Sequence, residues 1–215
     1  MRQIKKGTPP QEFVDFIKKK KPKNWDCIHL PENQKVYTIC KDRLLQEQHC
    51  LSGYTERVLK NNIHIDHFKK KDLFPKLTFV WENLILDEHN SNYGADFKDS
   101  NVKKDDYSFL INPNVENPHE YFTYQLNDGK IIPIKSLSEK CRKKAEFTIK
   151  LFNLNSSSLV QQRLDLINTI TIFCKDGALD KKDIYMALKN KGFPISFLKK
   201  SFVSISESSS ESSLL

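Results

Sequence analysis

The feature that most narrows what this chain can fold into is the segment from His64 to Asn92, HIDHFKKKDLFPKLTFVWENLILDEHNSN. It gathers His64, Asp66 and His67 within four residues, follows them with Lys69, Lys70 and Lys71, and places asparagines at 83 and 92. Ile63, Ile65 and Phe68 interleave with the polar residues, which is the pattern of a short strand. In a strand His64 and Asp66 share one face. The same alternation points His67 to the opposite face, so a site using all three requires the strand to end or twist there.

Phosphodiester hydrolysis needs a base to activate water, positive charge on the scissile phosphate and help for the leaving oxygen. A single Mg²⁺ supplies the last two. It prefers oxygen ligands and keeps several waters, so one carboxylate and one amide suffice from the protein. Asp66 offers the carboxylate, Asn92 the amide oxygen and His67 the base, with His64 as a supporting group or additional ligand. Charge points to the same partner. The chain carries 35 Lys and Arg against 27 Asp and Glu, a net charge of +8. The whole excess lies in residues 1–76, where 17 basic residues face 9 acidic ones. Phosphate attracts such a segment, and binding releases counterions. Lys18, Lys19, Lys20 and Lys21, together with Lys69 to Lys71, are the candidate nucleic-acid contacts.

Around this segment the pattern reads as α+β, a small sheet-and-helix core embedded in a mostly helical chain. Phe13, Val14, Phe16 and Ile17 predict a helix that Pro22 stops, and Val36 to Leu45 predict a second. Ser52-Gly53 marks a turn, and residues 82–93 read as the turn into, and the body of, a short helix. YFTYQLNDGKIIPI is a hairpin about Asp128-Gly129. Helices are expected from Ser138, again from Ser158, and over 180–192, ahead of a disordered Ser/Glu tail. The implied division is 1–48 basic and helical, 49–100 nuclease core, 101–135 loop and hairpin, 136–205 helical, and 206–215 tail.

Other classes are disfavoured. The five cysteines form no C-x-x-C and cannot all pair within the chain, which fits a reduced compartment. No apolar run approaches the ~18 residues of a membrane span. The first residues are basic without a following apolar core, so the expected location is the cytoplasm. The glycines never form the G-x-x-x-x-G-K of a nucleotide-binding loop.

Asp66-His67, Asn83 and Asn92, with Gly94 following, resemble the HNH nuclease motif. The resemblance widens over roughly residues 1–170, through Trp25, LLQEQ before Cys50, HIDHFKKKDLFP, WENLIL, DGKIIPI and LFNLNSSSLVQQR. Together these are similar to the HNH subfamily that supplies the nuclease subunit, PtuB, of Septu-type anti-phage systems and of some retron systems. The resemblance implies a ββα-metal core in which Asp66 and Asn92 hold Mg²⁺ or Mn²⁺, His67 deprotonates water and Asn83 bonds backbone to shape the loop. It also implies partners: a PtuA-like ATPase of the ABC/SMC type and, in retrons, a reverse transcriptase with its RNA–DNA product (msDNA). The helices of 138–192 are the candidate docking surface. The activity implied is that of a toxic effector cutting DNA, or RNA such as tRNA; the alternative is a nuclease-derived binding or scaffolding subunit without activity. The subfamily's two C-x-x-C pairs are absent. Cys50 is matched by Gly53, and Glu88 and Ser91 stand where the second pair would be, so a structural zinc is not expected there.

Overall fold

Aromatic and aliphatic residues at helical spacing build the first layer. The computed structural model describes residues 1–175, so the helix expected over 180–192 and the Ser/Glu tail lie outside the described residues. Helix α1 (Gln11–Lys20) buries Phe13 and Phe16. It ends where Lys21 turns left-handed at φ 45° and returns its N–H to the Ile17 carbonyl, just before Pro22. Helix α2 (Gln34–Glu47) buries Cys40 and Leu44, one turn apart. With Trp25, Ile28 and Trp81 these residues form the first of two apolar cores among the described residues.

Strand β1 (Ile63–His67) pairs antiparallel with β2 (Leu84–Glu88), setting His64 opposite Asp87 and Asp66 opposite Ile85. Alternation then divides the sheet. Ile65, Leu84 and Leu86 enter the first core, whereas Ile85 enters a second with Tyr54, Phe68, Ala95, Tyr107, Ile111 and Phe152. Each such side chain contributes roughly 1.5–3 kcal/mol when fully buried. The free edge of β2 is closed by Gln48, whose Oε1 accepts from Leu86 N–H at 2.7 Å while its Nε2 donates to the Leu86 carbonyl at 2.9 Å. Such closure keeps an exposed edge from pairing elsewhere.

The helix expected over 82–93 is not what forms. Residues 84–88 make β2 instead, and helix α3 (Gly94–Asn101) starts beyond Tyr93. Leu84, Ile85 and Leu86 are fully buried, because the sheet is covered on both faces. A continuous apolar run of this kind does not distinguish a strand from a helix by periodicity. Gly94 has φ +74°, and a Cβ there would collide with the Asp87 carboxylate. That glycine lets the chain enter α3 in contact with β2.

The expected hairpin is present as β3 (Phe122–Gln125) and β4 (Lys130–Pro133), with Gly129 at φ +68°. Helix α4 (Glu139–Leu151) is capped by the Ser138 side chain accepting from Cys141 N–H. Helix α5 (Ser157–Lys175) is tied back to the hairpin by the buried Arg163 guanidinium, which donates to the Gly129 and Leu154 carbonyls. Among the described residues, two small antiparallel sheets lie among helices, which is compatible with an α+β fold. Among the described residues no helix is long and apolar enough to cross a membrane.

Candidate functional site

Because the sheet is buried on both sides, alternation along β1 sends its polar residues into two separate surroundings. His67 goes with Ile65 toward the N-terminal helices. Its ring stands edge-on to Trp25 at 4.7 Å between centroids, and its Nε2 lies 2.9 Å from the Thr78 carbonyl. A carbonyl only accepts, so Nε2 carries the proton and Nδ1 is left as the basic nitrogen. Burial holds the imidazole below the ordinary histidine range, although the Asp66 charge pulls the other way. His67 is therefore a neutral, oriented ring, only 5% exposed.

Asp66 goes the other way, toward α3. Its Oδ2 accepts from the Tyr54 hydroxyl and from Lys98 Nζ at 2.9 Å. The ammonium is fully buried and also donates to the His67 and Phe68 carbonyls at 2.9 and 3.1 Å. It lies 3.0 Å from Asp99 as well. Burial alone would push the Asp66 carboxyl up; Lys98 and Tyr54 outweigh it and hold the group below its ordinary value. The same pairing holds Lys98 above its ordinary value against burial. Next to this pair, Asp87 accepts from Ser52 Oγ at 2.6 Å and from Ala95 N–H at 2.8 Å, at the start of α3. Burial nonetheless pushes its carboxyl up to about 7.

Asn83 holds the loop between the strands. Its Oδ1 accepts from Lys69 N–H at 2.8 Å, and its Nδ2 donates to the Lys69 and Leu77 carbonyls at 3.0 and 3.2 Å. The lysines of that loop are half-buried: Lys70 Nζ donates to the Asp99 carbonyl at 2.9 Å, and Lys69 lies over the Phe74 ring. Lys18 to Lys21 are exposed at the end of α1. Asn92 is exposed just ahead of α3. Its N–H donates to Asn90 and its carbonyl accepts from Asn153. Near it Glu88 is paired with Arg57 at 2.6 Å, and Cys50 is exposed.

One carboxylate oxygen of Asp66 already accepts from the Lys98 ammonium and the Tyr54 phenol, and Asn92 is exposed just ahead of α3. A second group has ligand spacing. His64 stacks on His89, and both approach Asp96 in the first turn of α3. Tyr54, Thr78, Lys98, His89 and Asp96 are not among the candidates that the sequence pattern offers. The pairing of Asp66 with Lys98 spans 32 residues and has no local signal. The seven-residue interval from His89 to Asp96 is visible in the chain, but its meaning depends on the turn between β2 and α3.

The site is thus a two-stranded sheet backed by a short helix, with imidazole, carboxylate and ammonium groups around it. No family model matches the chain. It is 24% identical, over 90% of its own length and 90% of the other's, to an Escherichia coli protein named "Retron Ec83 putative HNH endonuclease". The chain is thus similar, nearly end to end, to a retron-associated protein of the HNH endonuclease kind.

Proposed function

We propose that this protein is a divalent-metal-dependent HNH nuclease that cleaves phosphodiester bonds as the toxic effector of an anti-phage complex. The reading takes its partners from the Septu and retron resemblance: a PtuA-like ATPase of the ABC/SMC type and, in a retron setting, a reverse transcriptase with its msDNA. The observation that carries it is the sheet and helix built by residues 63–101, which set a neutral oriented histidine on one face of β1 and a polar, half-open cluster on the other. Its likeness to the retron protein over nine-tenths of both chains supports the same conclusion.

In this reading Asn83 fixes the loop, His67 is the base through Nδ1, and Lys69 to Lys71 with Lys18 to Lys21 meet phosphate. Asp66 anchors the centre through Lys98. A second reading, an inactive nuclease-derived binding subunit, is favoured by that anchor, since an ammonium stands against the carboxylate that would otherwise take a cation. The test is direct. The full chain, produced with its co-encoded partners, is incubated with labelled DNA and with total RNA, with Mg²⁺, Mn²⁺ or Zn²⁺ and with EDTA. Cleavage that EDTA abolishes supports the nuclease. Binding of nucleic acid without cleavage under every metal supports the inactive subunit and sinks the nuclease.

A further inference from the structure

Next to the Asp66–Lys98 pair is a cluster that the roles above leave unused. The rings of His64 and His89 stack with centroids 3.8 Å apart and planes within 12°. His89 Nδ1 lies 3.2 Å from Asp96 Oδ2, and His64 Nε2 lies 3.7 Å from Asp96 Oδ1. One ligand atom from each of the three residues lies within 4.8 Å of the other two. Among the described residues, no other group of three His, Cys, Asp or Glu side chains has this property.

The main chain fixes all three. His64 is in the paired part of β1. His89 is held by its N–H on the Asn62 carbonyl at 2.9 Å, and Asp96 Oδ2 accepts Asn90 N–H at 2.9 Å. His64 Nε2 is the ring nitrogen that faces Asp96, whereas His64 Nδ1 is buried with no hydrogen-bond partner. Two stacked imidazoles aimed at one carboxylate repel each other if both are protonated. When neutral, each can turn an N–H toward the carboxylate, or turn a lone pair toward a cation that the carboxylate also binds.

We propose that His64, His89 and Asp96 bind a divalent first-row transition metal ion, of the Zn²⁺, Ni²⁺ or Mn²⁺ kind, in preference to Mg²⁺. Imidazole nitrogens suit Zn²⁺ and Ni²⁺, and Mn²⁺ takes them more readily than Mg²⁺, which is held by oxygen. In a tetrahedral site with bonds of about 2.0–2.1 Å the ligand atoms lie about 3.3 Å apart, so a modest rotation of the exposed His89 ring completes the set. The His64 side chain is 17% exposed, that of Asp96 34% and that of His89 58%, so the ion has one walled side and one open side. An open side is what a site needs to hold a water or a phosphate oxygen. Use of the ion in hydrolysis rests on the nuclease reading above; binding of the ion does not.

The experiment measures metal directly. The full chain is stripped with EDTA, dialysed against Zn²⁺ or Mn²⁺ with excess Mg²⁺ present, and assayed for retained metal and, for Mn²⁺, by its EPR signal. About one ion per chain is expected. His89→Gln and Asp96→Asn, both at accessible positions, are expected to weaken binding at least about tenfold with unchanged circular dichroism. Asn92→Ala is expected to bind as the parent does. The proposal is overturned if the parent retains no ion, if Mg²⁺ displaces it, or if His89→Gln and Asp96→Asn bind the ion as the parent does. Failure of the nuclease reading looks different: the ion binds as stated, yet the assembled complex cuts neither DNA nor RNA.

Discussion

On one side of strand β1, Ile65 and His67 sit among Trp25, Leu84 and Leu86; on the other, His64 and Asp66 meet Asp96, Lys98 and Tyr54. Both sides are buried, but they treat charge differently. The apolar side keeps an imidazole neutral and fixes its tautomer through one carbonyl. The α3 side keeps a carboxylate charged by burying an ammonium against it. One strand therefore presents a neutral base to one surface and a fixed ion pair to the other. The metal-binding task moves outward along the same face to His64, where the surroundings are open enough for an ion with exchangeable ligands.

The largest expected effect tests whether the α3 side is anchored by that ion pair. Lys98→Met preserves bulk but leaves the Asp66 carboxylate buried with only the Tyr54 hydroxyl. Breaking a buried pair by removing one partner costs about 3–5 kcal/mol. The double variant Asp66→Asn, Lys98→Met restores most of this, with a coupling of at least about 2 kcal/mol in a double-mutant cycle followed by urea unfolding. A loss below about 1 kcal/mol for Lys98→Met would show that the ion pair does not anchor this face.

A somewhat smaller effect comes from Asp87 on the same face. Its carboxyl ionises near 4 when unfolded and at about 7 when folded. A raised folded pKa means that the folded state holds the proton more tightly. The chain therefore loses stability as pH rises from about 4 to about 7 and is level above that, by on the order of 2–4 kcal/mol for this group alone. Asp87→Asn has no proton to lose. The difference in unfolding free energy between variant and parent should shift in the variant's favour across that window and then stay constant. A difference that does not change with pH would mean that Asp87 is solvated rather than buried.

Much of the framework behind this comparison is legible in the residues. Pro22 after Phe13 and Phe16 marks the end of α1, Asp128-Gly129 marks the hairpin, and the alternation of His64, Asp66 and His67 gives the face each one takes. That alternation requires a twist if the three are to share one site; β1 instead stays paired through His67, opposite Leu84. The helix expected over 82–93 illustrates the limit. Leu84 to Leu86 are buried on both faces, and such a run reads equally well as helix or strand. The partner of Asp66 is equally hidden, because Lys98 looks like any surface lysine of a short helix until β2 brings that helix across the sheet. Asp96 and His89 are legible as potential ligands, but only the turn at Asn90 and Gly94 makes them neighbours of His64.

On the apolar side, His67→Phe keeps a planar ring against Trp25 and loses the bond to the Thr78 carbonyl, a cost of about 1–2 kcal/mol. Stability is thus nearly retained, and complex assembly with it, while cleavage is expected to vanish along with the basic nitrogen. Undiminished cleavage in this variant would take the base away from His67 and move the chemistry wholly to the α3 side.

The smallest effect on the fold, and the cleanest separation of binding from architecture, is expected at Lys18 to Lys21. These side chains are exposed, and where Lys19 pairs with Asp15 at 3.0 Å the lysine is still 75% exposed. Surface substitutions of this kind change stability by no more than about 0.5 kcal/mol. Replacing all four with glutamine should therefore leave the unfolding midpoint in place. Nucleic-acid affinity should fall with them. The slope of log K against log salt should become shallower by about 0.9 for each duplex phosphate that the lysines no longer neutralise, or about 0.7 for single strands. Lys71→Gln, in the loop directly after β1, should lower the slope by one such increment and also slow cleavage, because it lies next to the proposed base. A quadruple variant with an unaltered salt slope would leave the basic end of α1 as a solvated charge run. The phosphate-binding lysines would then be confined to the loop beside His67.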